Sequence, residues 1–264
     1  MLPTAALLLA ALAGAPSAAP SASSPAPLAR PALAPQPVKL VAKDKVELSG
    51  TYFPPKDMDA KNTAVLLVHD AGSDSAAVAA LAEAWNKRGA AVLSLDLRGH
   101  GESKAERVDW TTSSEKEREV LWAMAKRDLE AGESYLRERT EVHSSRIVVA
   151  GKGAGAGLAV RYGIEGAGIA GVVLIDPPVD EEKTWGIDVA KGLADLEGLP
   201  ALIVCCKETR KACDAMAEAA HKANDGYEFV ELGILRSERK ALLEDKRLSS
   251  TLTGWTKEKV EGGS

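Results

Sequence analysis

The sequence predicts one α/β domain built on a doubly wound, mostly parallel β-sheet with an antiparallel hairpin at its N-terminal end. Short aliphatic runs recur along the chain, and nearly continuous apolar runs are typical of strands buried on both faces. Segments with helical spacing lie between these runs, and such alternation of strand and helix indicates a parallel sheet with right-handed crossovers. The third observation is a pair of alternating apolar and polar segments that precedes the first run.

The individual elements follow from these patterns in chain order. Residues 38–42 and 46–53 alternate around Lys43-Asp-Lys, which predicts an antiparallel hairpin with one solvated face. A last strand is predicted at residues 227–232, and the charged tail from Ser237 onward predicts one or two surface helices. The central strands are predicted at residues 64–69, 90–96, 146–151, 171–176 and 201–205, and the helices at residues 75–88, 117–139, 155–162 and 211–223.

The composition is that of a globular domain of ordinary size. Hydrophobic residues make up 45% of the 264 residues and charged residues 27%, which excludes wholesale disorder and a polytopic membrane protein. Aromatic residues are only 4%, so the core must be mainly aliphatic. The net charge is −5 and the sequence has no basic stripe, so we expect no nucleic-acid partner.

The N-terminal segment predicts export to a periplasm or to the outside of the cell. Residues 5–13 form an apolar run that is too short to span a bilayer but fits the core of a signal peptide, predicted at residues 1–22. A disordered Ala/Pro leader is the alternative. Residues 23–37 are rich in Ala, Pro and Ser and predict a flexible linker. The folded domain is predicted at residues 38–260, with no stable membrane span once the leader is removed.

Three cysteines lie within one short stretch, at Cys205, Cys206 and Cys213. The favoured interpretation is that Cys205 and Cys206 are small packing residues on a strand. In an exported protein, Cys213 bridged to Cys205 or Cys206 is the open alternative. No His or second cysteine pair stands at zinc-ligand spacing, so we expect no metal, and we expect no organic cofactor.

Polar loops follow the first two buried strands, where a doubly wound sheet forms its ligand site. His69-Asp70-Ala71-Gly72 follows the first run, and a loop from Asp96 to Ser103 with the sequence Asp-Leu-Arg-Gly-His-Gly-Glu-Ser follows the second. With these loops the chain resembles the α/β-hydrolase superfamily, in particular its lipase-like and serine-aminopeptidase-like branch, over about residues 38–232. The resemblance implies an α/β-hydrolase fold and assigns the first turn to an oxyanion hole through the backbone N–H of Asp70 or Ala71.

The same resemblance implies a Gly-x-Ser-x-Gly nucleophile elbow, but in this chain the residue at the serine position has no nucleophilic side chain. The matching residues are Gly151, Lys152, Gly153, Ala154 and Gly155, with Gly153 in place of the serine. Glycine has no atom that attacks a carbonyl, so the acyl-enzyme route is closed. Because an elbow holds its central residue in a sparsely allowed conformation, loss of the side chain is expected to relax the turn.

The other two members of a catalytic triad are missing as well. The position of the acid, after the late strand, falls near Thr209, with Glu208 and Asp214 as weak substitutes. The position of the base, after the last strand, falls near Leu235. None of the four histidines (His69, His100, His143 and His221) stands where the general base belongs.

Three hypotheses for the function follow. The first is a non-catalytic homologue with a binding, scaffolding or accessory role toward an unknown small molecule or protein. The second is a hydrolase with a non-standard nucleophile, although each candidate lacks an evident activating base. The third is dinucleotide binding through Gly151-x-Gly153-x-x-Ala156, with Asp176 as the ribose-binding acid. The candidate nucleophiles are Lys152, Cys205, Cys206, Ser73 and Ser103.

Overall fold

An eight-stranded mixed sheet forms the centre of the fold. The computed structural model describes residues 33–105, 108–165, 168–178, 185–226 and 228–262. The predicted signal peptide and the predicted linker up to residue 32 lie outside the described residues. The strands are β1 (Gln36–Val41), β2 (Glu47–Phe53), β3 (Asn62–Val68), β4 (Ala91–Leu95), β5 (Val142–Lys152), β6 (Gly171–Ile175), β7 (Ala201–Cys205) and β8 (Val230–Ile234).

The order of the strands across the sheet is β1-β2-β4-β3-β5-β6-β7-β8. β1 pairs antiparallel with β2, and β2 pairs antiparallel with β4. All pairs from β4 to β8 are parallel. The predicted α/β class, the N-terminal hairpin and the parallel remainder are therefore confirmed, and the architecture is the α/β-hydrolase fold.

Helices cover both faces of the sheet. Helices α2 to α6 pack on one face with the inner side of β1, and α1 and α7 pack on the other. A 3₁₀ turn at Ser75–Val78 leads into α1, another at Arg239–Glu244 precedes α7, and a π turn at Lys257–Glu261 follows α7. The helices are α1 (Ala79–Asn86), α2 (Glu115–Met124), α3 (Lys126–Arg137), α4 (Ala154–Ile164), α5 (Val189–Ala194), α6 (Arg210–Ala223) and α7 (Leu248–Thr256).

Several elements differ from the sequence prediction. The single helix predicted at 117–139 is two helices, because the Ala125 N–H bonds the Trp122 carbonyl in a tighter turn. β2 lacks the solvated face predicted for the hairpin, since Ser49 is covered by the loop that carries Ser103. The last strand begins at Val230, and Tyr227, where it was predicted to begin, lies outside the described residues.

The C-terminal tail was predicted from its charge to form only surface helices, but part of it packs into the core. α7 buries Leu252 and Trp255 in the core on its side of the sheet, and the indole N–H of Trp85 on α1 donates to Thr256 at 3.2 Å. A tail with several charges but an apolar stripe at helical spacing packs as an amphipathic helix. Among the described residues, no helix has both the length and the apolarity needed to cross a bilayer.

Candidate functional site

The turn between β5 and α4 has the geometry of a nucleophile elbow, although its central residue is glycine. Gly153 has φ 57° and ψ −130°, and its N–H donates to the Ile175 carbonyl at 2.9 Å. The turn is therefore not relaxed, contrary to the expectation from the loss of the side chain. Glycine adopts this region at little cost because it has no Cβ, so the strained shape remains while the strain energy falls.

The glycines beside Gly153 are required by close packing between β5 and α4. A Cβ on Gly151 would overlap the carbonyl of Gly155, and a Cβ on Gly155 would overlap the carbonyl of His69. Both contacts are with backbone, which cannot move aside as a flexible side chain does. The glycine-rich run is thus explained without a bound dinucleotide.

The carboxylate of Asp70 fills the space in front of the elbow. Its Oδ1 accepts hydrogen bonds from the N–H of Ala71 at 2.9 Å and from the N–H of Ala154 at 2.8 Å. A Cβ on Gly153 would overlap this carboxylate. Ala71 lies in the first turn, which the resemblance assigns to an oxyanion hole. Ala154 directly follows the nucleophile position, and in a nucleophile elbow the N–H of that residue is the second donor of an oxyanion hole.

The sequence places Asp70 and Ala71 at this turn but does not indicate the role of the Asp70 side chain. Of the two backbone donors considered, the structure directs that of Ala71 toward the elbow. The available signal was a pair of departures from the family pattern. Asp70 stands where the His-Gly-x-Gly turn of the family has its first glycine, and Gly153 stands where the elbow has serine. Neither departure alone indicated the contact between the two residues, because that contact depends on the approach of two separate loops.

His69 and His100 support the turn that carries Asp70. The Nε2 of His69 accepts from the Leu97 N–H at 3.0 Å, so its Nδ1 carries the proton that bonds the Asp70 carbonyl at 2.7 Å. The Nε2 of His100 likewise accepts from the Gly72 N–H at 3.1 Å, and its Nδ1 bonds the Arg98 carbonyl at 3.0 Å.

Both rings are neutral in this environment. Burial lowers the pKa of His69, and burial together with the nearby His69 lowers the pKa of His100 to about 4. With both nitrogens of each ring already bonded, neither histidine is available as a general base.

The remaining two histidines lie at the opposite end of the sheet. His143 is near the start of β5, whereas the elbow follows the end of that strand, and its Nδ1 lies 3.0 Å from Ser145 Oγ. His221 is in the last turn of α6 and bonds the backbone of Val230 through Nε2. Within the part of the chain that the structure describes, no histidine faces the elbow.

The position of the acid is occupied by a buried threonine. Thr209 Oγ1 accepts from the Cys206 N–H at 3.2 Å and lies 3.4 Å from Asp176 Oδ1. The weak substitutes do not face the elbow, because Glu208 accepts from the Arg239 N–H and Asp214 is an exposed partner of Arg210 on α6.

The position of the base leads to Arg239 rather than to a proton acceptor. Leu235 is buried in the core, and its N–H donates to the Cys205 carbonyl at 2.9 Å. The 3₁₀ turn that follows brings Arg239 Nε to 2.7 Å from Asp176 Oδ2, at the end of β6. Asp176 is therefore held in an ion pair, where the dinucleotide hypothesis needs it free to bind a ribose.

The cysteines are not simply packing residues. Cys205 at the end of β7 forms a disulfide with Cys213 in α6, so the favoured interpretation of Cys205 is wrong and the bridged alternative holds. Successive residues of a strand point to opposite faces, which separates Cys206 from this pair. Cys206 is a buried free thiol with Sγ 3.2 Å from Thr209 Oγ1 and 3.6 Å from Asp176 Oδ1.

The two serine candidates serve their loops. Ser103 is buried, donates to the Asp96 carbonyl at 2.6 Å and accepts from the Ser49 N–H at 2.8 Å. Ser73 closes the turn after Asp70, whose carbonyl accepts its backbone N–H at 3.1 Å. Neither serine has a base within hydrogen-bond reach among the described residues.

A cavity of about 400 Å³ lies over the elbow at the carboxyl ends of the strands. A pyrophosphate at the start of α4 would meet the Asp70 carboxylate, which already holds the Ala154 N–H. Within the described ranges, no cluster of His, Cys, Asp and Glu is placed to bind a metal ion. The cavity is lined by Asp70, Lys152, Gly153, Asp176, Pro178, Arg239 and Leu242.

Comparisons with known proteins agree with the fold. The family model of the serine aminopeptidases, S33, matches residues 59–225. An esterase from Pyrococcus furiosus has 22% sequence identity and a TM-score of 0.65, with 86% of this chain and 93% of that chain covered. A dienelactone hydrolase from Anabaena variabilis has 18% identity and a TM-score of 0.59, with 86% and 98% covered. No curated protein matches the chain.

Proposed function

We propose that this chain, which belongs to the serine aminopeptidase S33 family of α/β-hydrolases, is a non-catalytic member that uses the family site for binding. The role is binding of a small molecule or a partner protein rather than hydrolysis. One observation carries the proposal, namely the Asp70 carboxylate bound to the Ala71 and Ala154 N–H groups in front of Gly153.

The position of Asp70 opposes hydrolysis in two ways. An acyl substrate must place its carbonyl oxygen against the same two N–H groups, and the carboxylate already occupies them. A tetrahedral intermediate also develops negative charge on that oxygen, and the nearby carboxylate would repel it. Stabilisation of the oxyanion is usually the largest single contribution to acyl-transfer catalysis, so its loss matters even with another nucleophile.

The candidate nucleophiles do not rescue catalysis. Cys205 is in a disulfide, Ser103 is fully hydrogen-bonded, and Lys152 has no base beside it among the described residues. Cys206 is a free thiol that contacts Thr209 and interacts with Arg239, but among the described residues no base lies beside it other than Asp176, and the Arg239 guanidinium is already paired with that carboxylate. An activated thiol needs a base or a strongly electropositive setting.

Labelling with a fluorophosphonate probe, together with turnover of p-nitrophenyl acetate, tests the proposal. We expect no labelling and no turnover above the buffer rate for the wild-type chain. Cys206→Ala and Lys152→Met variants run in parallel identify a relocated nucleophile. Wild-type turnover that disappears in either variant would show that the site is catalytic and overturn the proposal.

We also propose that residues 1–22 direct export. The apolar run at residues 5–13 supports this, and so does the Cys205–Cys213 disulfide, because such bonds persist in oxidising compartments. Cell fractionation with N-terminal sequencing is the test. Recovery of the chain in the cytoplasm with Met1 retained would contradict export.

A further inference from the structure

The cavity over the elbow contains two opposite charges that the protein itself leaves unmatched. Asp70 Oδ1 accepts two backbone N–H groups, but among the described residues no donor reaches its Oδ2. Lys152 lines the same cavity, and among the described residues neither a carboxylate nor a hydrogen-bond acceptor lies within reach of its ammonium group. Polar groups that are buried or half-buried normally have hydrogen-bond partners. Two opposite charges without partners in one cavity are therefore suited to bind a ligand that supplies those partners.

The other two charges of the cavity are already matched to each other. Asp176, whose side chain is 11% exposed, pairs with Arg239 Nε at 2.7 Å. The net charge of the four groups is therefore zero. Asp176 and Arg239 neutralise each other, whereas Asp70 and Lys152 have no charged partner among the described residues. A simple anion would approach Lys152 against the repulsion of Asp70 and Asp176, and a simple cation would approach Asp70 against Lys152 and Arg239.

The rest of the wall is apolar. Pro178 and Leu242 line the cavity with apolar side chains, and Gly153 contributes no side chain. A volume of about 400 Å³ accommodates a molecule of several heavy atoms in addition to two charged groups.

We propose that this cavity binds a small zwitterion with an apolar body, of the size and chemistry of a free aliphatic α-amino acid. The ammonium group of the ligand bonds Asp70 Oδ2, and its carboxylate bonds the Lys152 ammonium. The aliphatic side chain packs against Pro178 and Leu242. This assignment rests on the proposed binding function and names the ligand class of the same site.

Three probes that share the isobutyl group of leucine separate the contributions of the two charges. Leucine carries both groups, 4-methylpentanoate lacks the ammonium, and 3-methylbutylamine lacks the carboxylate. Isothermal titration calorimetry on the full chain is expected to show binding of leucine and at least tenfold weaker binding of each single-charge probe. Equal binding of all three, binding of a single-charge probe alone, or no binding of leucine would overturn the assignment.

Two variants test the contacts without disturbing the fold. Asp70→Asn keeps an oxygen for the Ala71 and Ala154 N–H groups but removes the charge at Oδ2, and Lys152→Met keeps the aliphatic stem. Each is expected to weaken leucine binding at least tenfold, whereas Lys116→Met, exposed on α2, leaves it unchanged. Unchanged binding in both site variants would also refute the assignment. Failure to bind leucine leaves the non-catalytic proposal intact, because ester turnover and probe labelling test that proposal separately.

Discussion

Substitution of Gly153 by alanine should reveal how closely Asp70 and the elbow depend on each other. At φ 57° and ψ −130°, a residue with a Cβ costs about 1–3 kcal/mol. The new Cβ would also overlap the Asp70 carboxylate and displace it from its two N–H donors. The lost hydrogen bonds to the charged carboxylate add about 1.5–3 kcal/mol, so Gly153→Ala is expected to lower the free energy of unfolding by roughly 2.5–6 kcal/mol.

The double variant distinguishes the two contributions. Asp70→Ala alone should cost about 1.5–3 kcal/mol, because it removes the same hydrogen bonds. In Asp70→Ala/Gly153→Ala these bonds are lost only once, so the two single effects should exceed the double effect by about 1.5–3 kcal/mol. Urea unfolding followed by circular dichroism measures all three values.

A control isolates the backbone cost of the alanine. Gly226 has φ +80° and nothing within 4 Å of a Cβ built on it, so Gly226→Ala adds an unfavourable conformation without any overlap. We expect it to cost about 1 kcal/mol and to be additive with Asp70→Ala. Additivity between Gly153→Ala and Asp70→Ala within about 0.5 kcal/mol would refute the inferred contact between the carboxylate and the elbow.

Three further predictions concern stability. Cys213→Ser opens a disulfide with a sequence separation of 8 and should lower the free energy of unfolding by about 2.5 kcal/mol in urea, whereas the control Cys206→Ser keeps the bridge. Asp128→Asn removes a charged partner of the buried Arg98 guanidinium and should lower the free energy of unfolding by about 3–5 kcal/mol, measured by thermal unfolding. A decrease of less than about 1 kcal/mol would contradict this prediction. The pKa of His100 is about 4 in the folded chain against an ordinary 6.5, so between these values the unfolded chain binds a proton that the folded chain does not. The free energy of unfolding is therefore highest above pH 6.5 and falls by roughly 3 kcal/mol as the pH drops to 4. Urea titrations at several pH values should show this loss in the wild type and not in His100→Gln.

The sheet could be predicted from the sequence because its signals are local. β3 to β7 are continuous aliphatic runs, and such a composition by itself indicates a strand that is buried on both faces. A strand of this kind needs no alternation of apolar and polar residues. The break between α2 and α3 was missed because no glycine or proline marks it. Asp128, in the first turn of α3, is held by Arg98 from the loop after β4, a contact that no local pattern reports.

The candidate site was predictable only in part, for a related reason. The absence of a nucleophile at Gly153 and of a base near Leu235 followed from residue identity alone. The roles of Asp70, Arg239 and Cys205 depend on which groups separate loops bring together. Cys205 and Cys206 are adjacent in the chain, and only the direction of each side chain from β7 determines which one meets Cys213.

The contact between Asp70 and Gly153 supports the proposed binding role. Loss of the serine alone would leave two oxyanion-hole N–H groups facing an empty space, where water satisfies them. Here a carboxylate occupies that space, bonded to both donors, and the room for it exists only because residue 153 lacks a Cβ. Glycine at position 153 thus lacks a nucleophilic side chain and also admits the Asp70 carboxylate, and Asp70 lines the cavity together with Lys152. Matched and unmatched charges in a defined cavity are features that ligand recognition needs, and they support the proposed binding role.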